Sequence, residues 1–534
     1  MSAAAAMAGA DASTARLSER RKLAIFLIMA IGQFMAVLDI QIVVASLSSI
    51  QSGLSAGLDE IDWVQTAYLV AEVVMIPLSA FLAKAMSTRW MFVASAGAFT
   101  LASLLCGLAW DLPSMIAFRV IQGFVGGAMI PLVFATGFVF FDGAKAAMAT
   151  AALGVIATLA PTLGPTIGGW ITDSFSWRWL FFVNVAPGLL VTAALVALGP
   201  IDRGDVRLFG RIDWLHAASL VVFLGGLQYV LEEGPRRQWL QDRTLAAVAW
   251  ATLIGAAVFA ERCVYSKSPL VRLEPFRRRG FTAAVILSFV VGFGLYTGVY
   301  LTPVYLAQVR DYSSLDIGST VFVTGVFMTV AAGPAAWLTT RIDQRVVLAI
   351  GLALYAVSFL MMSAIGPDWG FRELFWPQAV RGVAVLFSMV PVVGLAMSDL
   401  PTSELRDASG ISNLMRNVGG AVGIALANTW LLAYFNLHFV GLLGSVSQSP
   451  DEAVRALSGL TQLFGAGGVE PGRGQLMAMG AMARGISAQA LTLAFDDVFR
   501  LGAWIFGACI LLTPFCRPGP MTEARRHEAA AYGH

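Results

Sequence analysis

The sequence predicts an all-α polytopic membrane protein of fourteen spans, arranged as two pseudo-symmetric six-helix bundles with two helices inserted between them. Three observations predict it. Charged residues are only 13% of the 534, against about 25% in soluble proteins, while 57% are hydrophobic. The apolar residues fall in blocks long enough to cross a hydrocarbon core about 30 Å thick, which takes about 20 residues of helix. Finally, helices of the first part of the chain have counterparts in the last part. A net charge of only +2 argues against nucleic-acid partners, and the hydrophobic excess excludes a disordered chain.

Taken in order, residues 1–22 are an Ala/Ser-rich tail ending in Arg20-Arg21-Lys22. The next block, 23–48, is too long for a signal-peptide core and has no cleavage site, so it reads as a retained first helix. Further spans are expected at 61–82, 90–110, 114–140, 146–171 and 178–199, completing an N-terminal bundle over 23–200. Two linker helices, 213–232 and 244–264, lie within 201–268. The basic, amphipathic segment 269–280 reads as cytoplasmic and interfacial. A C-terminal bundle over 281–516 holds spans at 281–306, 316–340, 345–365, 372–398, 405–435 and 497–516. Residues 437–496 are expected to form a long periplasmic loop with a helical part around Gln475 to Ala494, and 517–534 a cytoplasmic tail. Lys and Arg concentrate in the loops on the side of the N-terminus, which by the positive-inside rule places both termini in the cytoplasm.

Span 4 contains FRVIQGFVGGAMIPLV, with Arg119 early and Pro131 late; span 12 contains VRGVAVLFSMVPVVGL, with Arg381 and Pro391 in the same places. Each is followed by a Gly-rich helix. Repeated six-helix halves put a substrate site near the midplane between them. Nothing points to an enzyme: the four cysteines (106, 263, 509, 516) and four histidines are scattered, and no metal-ligand spacing, phosphate loop or nucleophile motif is present. No cofactor or metal is expected, and the proton gradient is the expected energy source.

Five ionisable residues lie within spans, away from their ends: Asp39, Glu72, Arg119, Arg381 and Arg416. A charge at the bilayer centre costs about 2.5–3.5 kcal/mol on insertion scales, so each is a functional candidate. At about 1.5 Å per residue, Asp39 lies about 24 Å above the inner end of its helix and Arg119 about 8 Å below the outer end of its own. Both fall in the outer half, where they can pair. Glu72 is flanked by apolar residues and suits a proton carrier; a neutral Glu bonding a neighbouring helix is the alternative. Asp39, Glu72 and Arg119 are the proton-coupling set. The expected substrate contacts are Gln33, Arg381, Asn413 and Arg416, with an aromatic stripe in span 9 (Phe289, Phe293, Tyr296, Tyr300) at spacings of 4, 3 and 4. In span 5, Gly154, Pro161, Gly164, Pro165, Gly168 and Gly169 give a bent, small-faced helix suited to a moving interface.

FMAVLDIQIV in span 1, Arg119-x-x-Gln122-Gly123 in span 4 and the Gly-Pro run from Gly154 to Gly169 together resemble the fourteen-span drug/proton antiporters of the major facilitator superfamily, EmrB/QacA type. The resemblance implies the major facilitator fold and proton-coupled export of hydrophobic or amphiphilic toxic compounds by alternating access. It further implies the bacterial inner membrane, an EmrA-like periplasmic adaptor and a TolC-like outer-membrane channel. A transporter of one specific metabolite, or a non-transporting membrane sensor or assembly protein, are the competing readings. Two places depart from the family. Span 1 continues as Val44-Ala45-Ser46-Leu47-Ser48 in place of Asn-Val-Ala-Leu-Pro. The inside loop after span 2 has Ala80, Lys84 and Ser87 where Gly, Asp and Gly are usual, which removes the usual latch carboxylate from this half and leaves Asp343 for the other.

Overall fold

A computed structural model describes residues 18–516, apart from 58–59, 142, 200, 267–268, 399, 402–403, 449 and 467–470. Span 1 is Glu19–Ala45, followed by a short helix Leu47–Leu54; span 2 is Trp63–Met86 and span 3 Thr88–Gly107. Span 4 is built in two pieces, Leu112–Gly126 and Met129–Phe140, broken where three glycines crowd together. Its start is fixed by a capping box, in which the Asp111 carboxylate accepts from Ser114 N and the Ser114 hydroxyl answers the Asp111 N–H, with Pro113 in the first turn. Those Ser114 bonds hold the Asp111 carboxyl below its ordinary range.

Span 5 is the 32-residue helix Gly143–Ser174, and span 6 is Trp179–Phe182 with Val185–Ala197. Span 7 runs from Trp214 to Glu233 through a wide turn at Val221–Gly225, and span 8 is Arg243–Tyr265. The second bundle comprises Arg279–Gln308, Ser314–Arg341, Gln344–Met362, Phe371–Met397, Leu405–Gln448 and Pro471–Cys509, spans 9 to 14. Among the described residues, thirteen helices are long and apolar enough to cross a membrane, and span 5 contributes a further apolar stretch at Gly143–Ala157. The described residues contain helices and no strands. This is an all-α polytopic membrane protein.

One expectation needs correction. Residues 437–496 are not a loop: span 13 continues to Gln448, a helix Pro450–Ala466 follows, and span 14 begins at Pro471 rather than near 497. Gly and Ser broke the apolar pattern there, but Ala, Leu and Met between them keep helical propensity. The added helix packs back on span 14, so the two form a helical hairpin. In the segment 269–280, Glu274–Arg277 form a single helical turn, span 9 begins at Arg279, and Leu270 and Val271 are buried in the bundle.

The inserted spans 7 and 8 pack on each other, and span 7 lies along the seam between spans 2 and 13. Trp63 stacks on Tyr229 at 5.5 Å, and the Trp239 indole N–H donates to Thr429 Oγ1 at 3.1 Å. The halves also meet where span 5 packs along spans 10 and 12 and where spans 2 and 4 meet span 13. The tails 1–17 and 517–534 lie outside the described residues.

Candidate functional site

Asp39 and Arg119 meet in the interior of the first bundle. Both are fully buried, with Arg119 Nη1 2.6 Å from Asp39 Oδ2. An isolated charge there is prohibitive, so every remaining polar position must be filled. It is. Asp39 Oδ1 accepts from Asn184 Nδ2 at 2.6 Å and from Gln122 Nε2 at 3.0 Å. Arg119 donates to Gln122 Oε1 (2.8 Å), Gln65 Oε1 (3.3 Å) and the Val64 carbonyl (3.0 Å), and its guanidinium lies 4.2 Å from the centre of the Tyr68 ring. Gln122 also donates to Ser103 Oγ. Spans 1, 2, 3, 4 and 6 thus each give a polar group to one centre. Gln65, Ser103 and Asn184 were not expected. Asn184, alone in the apolar run FFVNVAP, carried a readable signal; the other two were hidden by proximity to span ends or by being an ordinary helical Ser.

Glu72 is buried on span 2, one turn beyond Tyr68, and makes no hydrogen bond or ion pair among the described residues. Span 4 holds span 2 close through glycines. A Cβ on Gly123 would lie 2.2 Å from the Tyr68 carbonyl oxygen, and one on Gly127 would lie 2.4 Å from that of Glu72. The Gly-x-x-x-Gly spacing therefore sets the position of Glu72 relative to Arg119.

In the second bundle Arg381 is buried without a carboxylate. It donates to the Gly298 carbonyl (2.7 Å), Thr302 Oγ1 (2.9 Å) and Thr324 Oγ1 (3.1 Å). These contacts turn it into the bundle, so its expected substrate role has no support in the geometry. Arg416 donates to Asn413, whose amide in turn donates to the Ser409 carbonyl, and lies 5.1 Å over the Phe134 ring of span 4. Arg416 and Asn413 therefore sit at the junction of the halves.

The span 9 stripe divides. Phe293 is buried against Phe506 and is packing, a correction to its expected role as a substrate contact. The Phe289 backbone lies against Gly419 of span 13, and its side chain is half-buried. Tyr296 and Tyr300 are half-buried and donate to Asn417 (3.3 Å) and Asn428 (2.7 Å) of span 13. Gln33 is fully buried, and neither amide atom has a partner.

Residues 29–424 match the family model described as Major Facilitator Superfamily. The chain belongs to that superfamily. It is 39% identical to the colistin resistance protein EmrB of Acinetobacter baumannii over 93% of this chain and 96% of the relative. It is 29% identical to the multidrug export protein EmrB of Escherichia coli, covering 92% and 94%. A 26% identical relative, covering 92% and 95%, is the fatty acid resistance protein FarB of Neisseria gonorrhoeae. A crystal structure of the human organic anion transporter MFSD10 (TETRAN) has the same fold, with a TM-score of 0.55 and 13% identity, covering 92% of this chain and all of that one.

The contacts between the two bundles are of two kinds. Span 5 touches by small residues. A Cβ on Gly154 would lie 3.0 Å from Leu386 and 3.2 Å from Met389 of span 12. Within the first bundle, Gly164 and Gly168 of the same helix lie against Gln41 and Ile42 of span 1. Gly169 gives its carbonyl to Thr172, and the side chains of Pro161 and Pro165 lie outside the described residues. At the end of the bundle carrying the basic loops, the contacts are charged. Lys84 Nζ meets Asp407 Oδ2 at 2.5 Å, and Arg406 meets Asp202 Oδ2 at 2.8 Å, with Asp202 also accepting from Thr88. Lys84, read as the loss of a latch carboxylate, instead forms a latch of opposite sign. Asp343 stays local, capping span 11 through Arg345 N.

Proposed function

We propose that this chain exports hydrophobic or amphiphilic toxic compounds in exchange for protons by alternating access. Asp39 and Glu72 carry protons, and Arg119 is the ion-pair partner that releases Asp39 when the bundles move. The observation that carries the reading is a contrast between two buried carboxyls of the first bundle: Asp39 is saturated by Arg119, Gln122 and Asn184, whereas Glu72 on span 2 has no partner among the described residues. A carboxylate held by a cation stays ionised; once separated in a low-dielectric site it takes up a proton. Motion and protonation are thereby coupled.

The relatives' names support a multidrug efflux transporter, and their range, from colistin to fatty acids, fits amphiphilic cargo. Tyr296, Tyr300, Asn413, Arg416 and Gln33 line the substrate path. Both termini are cytoplasmic in the inner membrane, because the basic loops lie on that side. The end of span 13, the helix Pro450–Ala466 and the start of span 14 form the surface for a periplasmic adaptor, which would pass cargo to an outer-membrane channel; exposed Leu437, Val440 and Leu476 supply apolar contact area.

The test is efflux of a fluorescent amphiphile from everted vesicles under an imposed pH gradient, alongside proton release by purified protein on adding the same compound. Asp39→Asn and Glu72→Gln are each expected to abolish the proton signal. Wild-type release in both variants would reject the coupling assignment.

A further inference from the structure

We infer that the Tyr68 hydroxyl relays the proton between Glu72 and Asp39, an inference that rests on the coupling reading above. Tyr68 is one helical turn before Glu72 on the same face of span 2, and its ring lies beneath the Arg119 guanidinium at 4.2 Å. The side chain is fully buried, yet its hydroxyl has no hydrogen-bond partner. A buried hydroxyl without a partner is destabilising, and native structures keep few of them. This one stands inside the site: its ring packs under Arg119, which is itself 2.6 Å from Asp39, and Glu72 follows one turn along the same helix. Space for it is left by Gly126 of span 4, where a Cβ would come within 2.9 Å of the hydroxyl oxygen. The second bundle also buries a tyrosine whose hydroxyl has no partner among the described residues, Tyr355, but the groups that Arg381 meets there are a carbonyl and two hydroxyls, so it offers no carboxylate for a proton to pass to.

In the present state the relay is closed. Asp39 Oδ1 is taken by Gln122 and Asn184 and Oδ2 by Arg119, so the carboxylate offers the hydroxyl no free position. When Arg119 withdraws, Oδ2 is vacated on the side of the Tyr68 ring. The Tyr68 O–H bond then breaks toward Asp39 Oδ2 as the protonated Glu72 carboxyl gives its proton to the Tyr68 oxygen. One proton passes from Glu72 to Asp39, and Tyr68 is neutral before and after. Arg119, freed of its carboxylate, faces the Tyr68 ring and stays solvated by it.

Tyr68→Phe keeps the ring under Arg119 and removes only the hydroxyl. The experiment follows the carboxylic C=O bands of Asp39 and Glu72 by time-resolved infrared spectroscopy after an acid pH jump, on the full chain in nanodiscs. Asp39→Asn and Glu72→Gln assign the bands. In Tyr68→Phe the rise of the Asp39 band and the matching decay of the Glu72 band are both expected to be about a hundredfold slower, a typical contribution of a positioned proton donor, with unchanged final amplitudes. Gly126→Ala, which pushes on the hydroxyl, is expected to slow the Asp39 band while retaining the ring and the OH. A wild-type rate for the Asp39 band in either variant overturns the relay. If neither carboxyl band appears in wild type, the coupling reading itself fails, and the relay with it.

Discussion

Arg119 and Arg381 occupy matching places in the two bundles, and their surroundings differ in one respect. Each is buried on the fourth helix of its bundle and reaches the first. There Arg119 finds a carboxylate, whereas Arg381 finds the Gly298 carbonyl and the Thr302 hydroxyl. The guanidinium is thus a shared scaffold that gathers helices, and the carboxylate is what one bundle adds to it. The proposed coupling therefore assigns proton chemistry to the first bundle, where, among the described residues, the buried guanidinium is paired with a carboxylate.

The largest test of that contrast compares Asp39→Asn with Arg381→Gln. Removing Asp39 leaves a buried guanidinium without its counter-charge, which costs about 3–5 kcal/mol, and should also abolish proton-coupled efflux. Removing the Arg381 charge leaves only neutral acceptors unpaired, about 1–3 kcal/mol, with coupling intact. Thermal unfolding in detergent and vesicle efflux read the two effects. Equal losses of coupling would break the comparison.

Next come the glycines, where the bundles should behave alike in stability and differ in function. A Cβ on Gly127 would lie 2.4 Å from the Glu72 carbonyl oxygen, and one on Gly419 2.1 Å from that of Phe289. Backbone cannot yield as a side chain can, so each Gly→Ala substitution should cost about 1–3 kcal/mol by overpacking. Only Gly127→Ala displaces Glu72, so only it should alter proton release. Gly480→Ala, with nothing within 4 Å of the added carbon, is the silent control.

The fold was legible because lipid leaves few ways to bury a helix, and a missing charge is as informative as a present one. Asp39, Glu72 and Arg119 stood out for the same reason, and helical rise alone put the first and third at one depth. Ser103 and Gln65 did not stand out, since uncharged polar residues are ordinary in such helices. The failure with Phe293 is instructive. Spacing fixes which face of a helix a residue shares, but which face meets the cavity is decided by a neighbour, here Phe506, far along the chain. The hairpin after span 13 was missed because its helices answer to each other rather than to lipid.

The inside loops after spans 2 and 10 extend the comparison with a smaller effect. Lys84 ties the first bundle to Asp407, while Asp343 remains a local cap. A double-mutant cycle on Lys84→Asp and Asp407→Lys should give a coupling of about 1 kcal/mol, since the lysine is partly exposed. The swapped pair should restore the efflux rate that either single change lowers. Independent, additive effects of the two substitutions would show that the pair does not hold the bundles.

The smallest expected effect lies three residues on. Ser87 sits at φ +81° and ψ 151°, a conformation open to glycine and strained for any side chain, at the very place where the family usually has Gly. Its hydroxyl accepts from Trp90 N at 3.3 Å and so caps span 3, which is some return for the strain. Glycine at an N-cap loses only a few tenths of a kcal/mol relative to serine, whereas the strained backbone is worth about 1 kcal/mol or more. Ser87→Gly should therefore raise the unfolding temperature slightly. The loop after span 10 has no residue at positive φ between Arg341 and Arg345, so a glycine at Gln344 should bring no such gain. A gain at both positions would mean that loop flexibility, and not the Ser87 backbone, was being measured.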